Sequence, residues 1–210
     1  EDGESKNELI KAVIKEKKKS IENNISISNV AFYVCPLINS IIRGGTIQQK
    51  ELLFKCFIGE VSTDEIINIY EDLKAKQDRI VEESMIKMDE QIRKFNLDLN
   101  EIIVLNGKDI EDSTYSRIIV NKVVEKYKRH AIILREYYKG MYGGSATGCR
   151  NKEIISFRDW CTNSGLFDLS AGHDTAFSTR IFEQNIDKLY NLISTIPTED
   201  TLTYEVDGIF

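Results

Sequence analysis

The nine residues from Gly140 to Gly148, with the sequence GMYGGSATG, are the first candidate for chemistry in this chain. Glycine-rich loops cradle phosphates when they join a strand to a helix, because their backbone amides can then approach the ligand. Here the preceding residues carry helical periodicity, and no Gly-Lys-Ser or Gly-Lys-Thr follows. The sequence therefore disfavours a phosphate loop and favours a turn between two helices.

The segment Asp168–Thr179, DLSAGHDTAFST, is the best candidate for a calcium loop. An EF-hand loop needs oxygen ligands at alternating positions, a glycine at position 6 and a bidentate glutamate at position 12. In this segment His173 stands at position 6 and Thr179 at position 12. We therefore expect no calcium, no other metal and no cofactor.

Only two histidines and four cysteines are available for acid–base or nucleophilic chemistry. His130 is expected on the polar side of a helix and His173 in a surface break, so neither is a strong catalytic candidate. A dyad of His173 with Cys149 or Cys161 defines a third hypothesis, an enzyme with a hidden cysteine site. The cysteines lack metal-binding spacing and are interpreted as reduced thiols. The prediction is that the chain is not an enzyme.

Charge and hydropathy limit the partners of the chain. The net charge of −6 argues against a general nucleic-acid binder, and no apolar run reaches the length of a membrane span. The densest basic cluster is predicted to bind a partner if that partner is acidic; it comprises Lys15, Lys17, Lys18 and Lys19. Reduced cysteines predict an intracellular, cytoplasmic or cytoskeletal location, although the missing initial methionine leaves a secreted or surface location open.

The elements that must position these residues are predicted mainly as helices. Prolines are scarce, and apolar residues recur at three- and four-residue steps behind capping boxes. The longest helix is predicted over about residues 62–95. Further helices are predicted from Pro36 to Ile42 and over 46–57, 114–138, 156–164 and 174–194. The best strand candidate is Asn23–Cys35, and Ile102–Leu105 fits either a short strand or a helical turn.

The predicted fold is a mainly α helical bundle with a degenerate EF-hand-like helix–loop–helix at its C-terminal end and at most one short strand pair. The predicted domains are an N-terminal helical region, 1–112, and a helical EF-hand-like module, 113–210, which could also form one continuous domain.

The C-terminal third of the chain resembles the tubulin polymerization-promoting protein family (the p25-alpha domain) and degenerate EF-hand-like segments of ciliary and cytoskeletal proteins. The matching pattern is Tyr137-Tyr138, then GGSATG, then ISFRDWCTNSGLFD, then a helix from Phe177 to Tyr190. The family often has a lysine after the ATG, where this chain has Cys149. The short helix is also less charged here than in the family.

This resemblance implies a metal-free hand, a pair of helices joined by a loop, that meets other proteins. The residues that would build it are Phe157, Trp160, Gly165, Leu166, Phe177 and Phe182. The implied function is a non-enzymatic interaction module associated with microtubules or an axoneme, with tubulin or an axonemal protein as partner and no nucleic acid. The alternative is an all-α adaptor, or a pathogen-specific surface or effector domain, that binds another protein. The partner's identity and the oligomeric state are left open.

Overall fold

A computed structural model of the 210-residue chain describes residues 7–17, 27–149, 154 and 156–196. Its contacts divide the chain into two compact units, Glu1–Ile80 (unit 1) and Val81–Phe210 (unit 2). The predicted domains, 1–112 and 113–210, stay a prediction.

The described part of unit 1 is helical. Its elements are α1 (Glu8–Lys17), α2 (Ile27–Asn29), a π-helical turn (Val30–Val34), α3 (Cys35–Gly44), α4 (Ile47–Phe57) and the first part of α5 (Thr63–Phe95). The Thr46 hydroxyl accepts the Gln49 amide at 3.2 Å and the Gln49 side chain accepts the Thr46 amide at 2.8 Å, which completes a capping box for α4. Helix α5 lies within one residue of the helix that the sequence predicts.

The strand predicted over Asn23–Cys35 is wrong for its described residues. From Ile27 onward this segment is helical, and residues 23–26 lie outside the described part. Val34, Leu37 and Ile41 are buried together in the core of unit 1. Their three- and four-residue spacing puts them on one helical face, and burial of that face outweighs the β propensity of the valines and isoleucines.

Unit 2 contains a five-stranded mixed sheet. The strands are β1 (Ile102–Asn106), β2 (His130–Tyr138), β3 (Met141–Thr147), β4 (Phe167–His173) and β5 (Ala176–Phe182), in the order β1-β2-β3-β5-β4. Strands β1 and β2 are parallel, and the other pairs are antiparallel. The helices are α6 (Ser116–Tyr127), α7 (Phe157–Asn163) and α8 (Ile186–Ile193), preceded by the second part of α5, with 3-10 turns at Leu97–Leu99, Ser113–Tyr115 and Glu183–Asn185.

The fold is therefore mixed α/β, and the predicted mainly α bundle is wrong. The helix predicted over 114–138 is present only as α6, which ends at Tyr127. Lys128, whose φ of 54° is left-handed, follows it, and the chain then continues as β2. The first five residues of β2, His130–Leu134, are all buried. A strand buried on both faces loses the apolar–polar alternation of a half-exposed strand, so its apolar run also satisfies helical spacing.

The predicted helix–loop–helix at the C-terminal end is also wrong, because a strand of this sheet takes the place of most of its second helix. Its first helix is present as α7, where the Ser156 hydroxyl accepts the Asp159 amide at 3.2 Å as predicted. The second, predicted over 174–194, consists of strand β5, a 3-10 turn and the short helix α8. In β5 the buried Phe177, Thr179 and Ile181 alternate with more exposed residues, which is the period of a strand.

Among the described residues, no helix combines the length and apolarity needed to cross a bilayer.

Candidate functional site

One face of the unit 2 sheet is covered by α7 and α8. Phe157 and Cys161 of α7 and Leu189 of α8 join Ile132 and Ile181 of the sheet in one buried core. The Phe157 ring packs edge-on against Phe177, with 5.5 Å between the ring centroids. This face is therefore filled by packing, and a functional surface is expected on the opposite face.

The opposite face is covered by α6 only over part of the sheet. Arg117 of α6 donates to the Ala146 carbonyl oxygen at 2.6 Å, and the Thr147 hydroxyl lies 2.7 Å from the Asn121 side-chain oxygen. Beyond these contacts, Ala171 and Ser178 are exposed. Within the described part of the chain, the strands β3, β5 and β4 thus present a surface that no helix covers.

We call this surface the open sheet face. It comprises Gly143 and Ser145 of β3, Ser178 and Arg180 of β5 and Ala171 of β4, with Arg135 and Tyr137 of β2 along its border.

The strand register places two arginines on either side of a glycine. Gly143 pairs with Arg135 of β2 and with Arg180 of β5. Directly paired residues of neighbouring strands point to the same side of a sheet, so both arginines flank a position that has no side chain. The adjacent row runs through Ser145, Ser178 and Ala171, and its small side chains keep the surface flat.

Tyr137 is anchored over this glycine. A Cβ atom at Gly143 would lie 3.1 Å from Cδ1 and 3.2 Å from Cε1 of the tyrosine ring. The Tyr137 hydroxyl donates to the Met141 sulfur at 2.6 Å, and the neighbouring Arg180 forms an ion pair with Asp168. Asp168, followed by the nearby Tyr137, raises the pKa of Arg180. The ring is thereby held in place while Tyr137 stays 57% exposed.

Arg135 offers a positive charge beside this ring. Its guanidinium is half-buried and has one long hydrogen bond, 3.5 Å, to the Ile110 carbonyl oxygen. Within the described ranges, no carboxylate oxygen comes within 4 Å of it. A guanidinium in this state can present its planar fork of donors to an anion such as a phosphate.

The turn between β4 and β5 closes one end of the open sheet face. Arg158 of α7 donates to the Gly172 carbonyl oxygen at 2.8 Å and forms an ion pair with Asp174 at 2.8 Å. The Gly148 amide donates to the Thr175 carbonyl oxygen at 2.7 Å. The turn, with the exposed His173, is therefore held from both α7 and the end of β3.

The glycine-rich stretch Gly140–Gly148 is mainly strand β3, so the predicted turn between two helices is wrong. Gly140, with φ of 74°, lies in the β2–β3 turn. A Cβ atom at Gly144 would lie 1.7 Å from the Ile133 carbonyl oxygen, so no side chain fits there. The glycines allow close strand approach at Gly144 and make room for the Tyr137 ring at Gly143.

His130 is buried, not on a polar helix side as predicted. Its Nδ1 accepts the Cys149 amide at 3.0 Å, and its ring centroid lies 4.6 Å from that of Phe157. Cys161 is buried in the core, and burial raises the pKa of its thiol. His173 is exposed at the β4–β5 turn. The structure thus brings Cys149 to His130, a pair that the sequence prediction did not include.

The six residues predicted to line the hand fall into separate environments. Phe157 and Phe177 are in the core, and Trp160 and Leu166 are half-buried beside it. Gly165, with φ of 68°, follows α7 as its predicted terminator. Phe182 is 38% exposed on β5, on the same side as Arg180. Five of them therefore belong to or adjoin the α7 side of the sheet, and Phe182 borders the open sheet face.

The predicted lysine cluster lies in or after α1. Lys15 and Lys17 are within the helix, and Lys18 and Lys19 lie outside the described residues. Their role as partner-binding residues stays a prediction. A second, smaller basic cluster in the sequence, Arg150 with Lys152, also lies outside the described part.

The segment Asp168–Thr179 forms most of the β4–β5 hairpin and is not a loop between helices. Among the residues that the structure describes, no group of three or more His, Cys, Asp or Glu side chains could hold a metal ion.

The residues of the open sheet face were missed by the sequence prediction. One signal was available: in AFSTRIF, Ser178, Arg180 and Phe182 alternate with Phe177, Thr179 and Ile181, as expected for a strand with one open face. For Arg135, Tyr137 and Gly143 the relevant information is the pairing of three strands, which no local pattern contains.

No protein-family model matches this chain. Two curated relatives are 29% identical over 202 residues, which cover 86% of this chain. They are the prophage-derived protein YorK of Bacillus subtilis strain 168 and its counterpart in Bacillus phage SPbeta, both named as single-strand DNA-specific exonucleases. The chain spans about a third, 35%, of the length of these relatives.

Solved structures of the exonuclease RecJ share the fold. RecJ from Thermus thermophilus in complex with Mn²⁺ has a TM-score of 0.66 at 14% identity, over 92% of this chain and 28% of that one. A second structure, exonuclease RecJ bound to manganese, has a TM-score of 0.63 at 16% identity, over 91% of this chain and 46% of that one. Both confirm a mixed α/β fold. The described residues offer no cluster for the manganese of those structures.

These findings overturn the predicted identity of the chain. Its similarity is to exonucleases, and the resemblance to tubulin polymerization-promoting protein and EF-hand-like segments is wrong. The predicted cytoskeletal module and the all-α adaptor or effector alternative are wrong for the same reason. So are the expectations of no enzyme, of a tubulin or axonemal partner and of no nucleic acid. The predicted intracellular location stays a prediction.

Proposed function

We propose that this chain provides a surface that holds single-stranded DNA for a nuclease, and that the open sheet face is this surface. The observation that carries the proposal is the row Arg135–Gly143–Arg180, with Tyr137 anchored over its centre. The similarity to relatives named as single-strand DNA-specific exonucleases supports the same substrate.

The open sheet face has the two components that single-strand binding requires. Proteins that bind single strands combine positive charge along the backbone path with aromatic rings on which bases stack. Arg135 supplies the positive charge, Arg180 offers guanidinium donors beside its partner Asp168, and Tyr137 supplies an exposed ring. The flat row of Ser145, Ser178 and Ala171 leaves room for an extended strand.

The acidic net charge of the chain is compatible with this role. The net charge of −6 disfavours nonspecific binding over the whole surface, because phosphates are repelled at long range. Local binding then depends on a few well-placed cations, and Arg180 and Arg135 are half-buried beside the strand path. We assign the described residues a binding role and no hydrolytic step.

Binding is tested by fluorescence anisotropy of labelled single-stranded DNA, duplex DNA and single-stranded RNA with the 210-residue chain. The informative variant is Ser178→Asp, which places a negative charge on the open sheet face. The matched control is Asn163→Asp, an exposed position on α7 behind the opposite face. Circular dichroism and thermal unfolding of each variant establish that it is folded.

The proposal expects wild-type chain to bind single-stranded DNA more tightly than duplex. Ser178→Asp should weaken that binding by about tenfold, the effect of roughly 1.4 kcal/mol of repulsion. Asn163→Asp should stay within about twofold of wild type, because its charge lies far from the proposed strand path. Absence of single-strand binding by the wild-type chain, or equal weakening by both variants, would refute the proposed surface.

A further inference from the structure

A cavity of about 510 Å³ opens at the border of β2 and β3 on the side of α6. Its lining includes Ser113, Arg135, Glu136, Tyr137, Gly143 and Ser145. Sites for small ligands typically have volumes of about 300–1,000 Å³. The cavity therefore has room for a single nucleotide and adjoins the open sheet face through Gly143 and Ser145.

Tyr137 forms a fixed wall of this cavity. The ring lies over Gly143, and its hydroxyl donates to the Met141 sulfur, close to Arg180, which is paired with Asp168. A ring fixed in this way loses little conformational entropy when a flat ligand packs against it. The exposed part of Tyr137 is suited to stacking with a nucleobase.

The polar groups of the cavity are unevenly distributed. Arg135 provides a positive charge, whereas the Glu136 carboxylate accepts the Gly140 amide at 3.2 Å and is thereby drawn to the β2–β3 turn. A phosphate is attracted by the first and repelled by the second, so it should lie at the Arg135 end. The hydroxyls of Ser113 and Ser145 offer further donors and acceptors within the same cavity.

The geometry points to a mononucleotide subsite in this cavity, in which Arg135 binds one phosphate of the DNA strand and Tyr137 stacks with the adjoining base. This inference deepens the proposed function and rests on it. It adds a defined position for one nucleotide, where the proposed function requires only that a strand lie on the open sheet face.

Gly143 sets the shape of the subsite. Because a Cβ atom there would lie 3.1 Å from the Tyr137 ring, an alanine would push the ring towards the cavity. Gly143→Ala should thus weaken nucleotide binding even though it removes no contact with the ligand.

Photocrosslinking locates the nucleotide directly. A single-stranded oligonucleotide that carries 5-iododeoxyuridine is irradiated with the 210-residue chain, and the crosslinked residue is identified by mass spectrometry. The subsite predicts a crosslink at Tyr137 and none at Tyr138, its neighbour in β2, which is 71% exposed and so at least as accessible.

Binding measurements with matched variants test the same subsite. Tyr137→Ala should weaken single-strand binding by roughly tenfold or more, the range for loss of a base–aromatic stack, whereas Tyr138→Ala should stay within about twofold. Thymidine monophosphate should compete with the oligonucleotide better than thymidine, and Arg135→Gln should abolish that difference. Inorganic phosphate alone should compete only weakly, because it lacks the base.

The outcomes separate this inference from the proposed function. If single-stranded DNA binds normally but Tyr137→Ala and Tyr138→Ala behave alike and the crosslink lies elsewhere, the subsite is wrong and the open sheet face stands. If the wild-type chain binds no single-stranded DNA, both are wrong. Thermal unfolding of each variant distinguishes a specific loss of binding from a loss caused by misfolding.

Discussion

At the scale of single residues, two adjacent glycines of β3 have different tolerances for a side chain. A Cβ atom at Gly144 meets the Ile133 carbonyl oxygen at 1.7 Å, and one at Gly143 meets the Tyr137 ring at 3.1 Å. Backbone in a sheet cannot move aside without loss of hydrogen bonds, whereas a side chain can rotate. Gly144 is therefore needed for the close approach of β2 and β3, whereas Gly143 makes room for the Tyr137 ring.

We expect Gly144→Ala to destabilise the fold by about 2 kcal/mol or more, the upper range for overpacking. This corresponds to a melting temperature lower by about 5 °C or more. Gly143→Ala should lower stability less than Gly144→Ala does, and it should lower the affinity for single-stranded DNA more. Calorimetry and anisotropy on both variants give the comparison, and a larger loss of stability for Gly143→Ala would contradict this assignment.

A second prediction at the scale of single residues concerns Tyr127 and the dependence of stability on pH. Its hydroxyl donates to Asp89 at 2.8 Å, which joins α6 to α5 within unit 2. Burial, together with this hydrogen bond, raises the pKa of Tyr127 from 10.0 to about 12. Because the folded state favours the protonated phenol, its contribution to stability is complete below pH 10 and is lost between pH 10 and about 12.

Tyr127→Phe should therefore lower the free energy of unfolding by about 1–2 kcal/mol at neutral pH, the usual value for such a hydrogen bond. The difference from wild type should shrink as the pH rises from 10 to about 12. Urea unfolding across this range measures it, with Tyr138→Phe as the control at an exposed tyrosine. A difference that is independent of pH would exclude the coupling.

At the scale of elements, α7 positions the β4–β5 turn. Arg158 reaches the Gly172 carbonyl oxygen and Asp174, and the Arg158 amide donates to the Asp174 carbonyl oxygen at 3.0 Å. The first two contacts depend on the guanidinium, and the third depends only on the backbone. Removal of the side chain should therefore loosen the turn without detaching it.

Arg158→Ala should speed hydrogen exchange of the Gly148 amide, which donates to Thr175 in this turn. Global stability should change by about 1 kcal/mol or less, since the ion pairs are partly exposed. Exchange measured by NMR gives the local effect, and exchange of amides in β1 serves as the internal reference. Unchanged exchange at Gly148 would show that the backbone contacts alone hold the turn.

The elements also show what the sequence could predict. Helices with side-chain caps were predictable, because Ser62 before α5 and Ser156 before α7 are capping residues that the sequence itself identifies. Strand β2 was not, because burial on both faces removes the alternation that marks a strand. The open sheet face was less predictable still. It depends on the alignment of Arg135, Gly143 and Arg180 across three strands, and the pairing partners are set by tertiary structure.

At the scale of the whole molecule, net charge alone is a poor guide to whether a protein binds nucleic acid. A charge of −6 describes the sum over the surface, whereas binding of a strand depends on the few groups along its path. A binder of this kind should form few ion contacts with phosphates. Its affinity for DNA should then depend on salt much less than that of a basic protein does.

The dependence of DNA affinity on salt can be measured as a slope. Each phosphate neutralised on a single strand contributes about −0.7 to the slope of log K against log salt concentration. Because Arg180 is already paired with Asp168, one contact through Arg135 predicts a slope of about −0.7. Arg135→Gln should reduce its magnitude by about 0.7, whereas Arg43→Gln, an exposed arginine of α3 in unit 1, changes the net charge equally and should leave the slope unchanged. Anisotropy titrations between about 50 and 200 mM salt provide the values. Equal slopes for wild type and Arg135→Gln would mean that no phosphate is bound at Arg135, and equal reductions in both variants would mean that net charge, and not the open sheet face, governs binding.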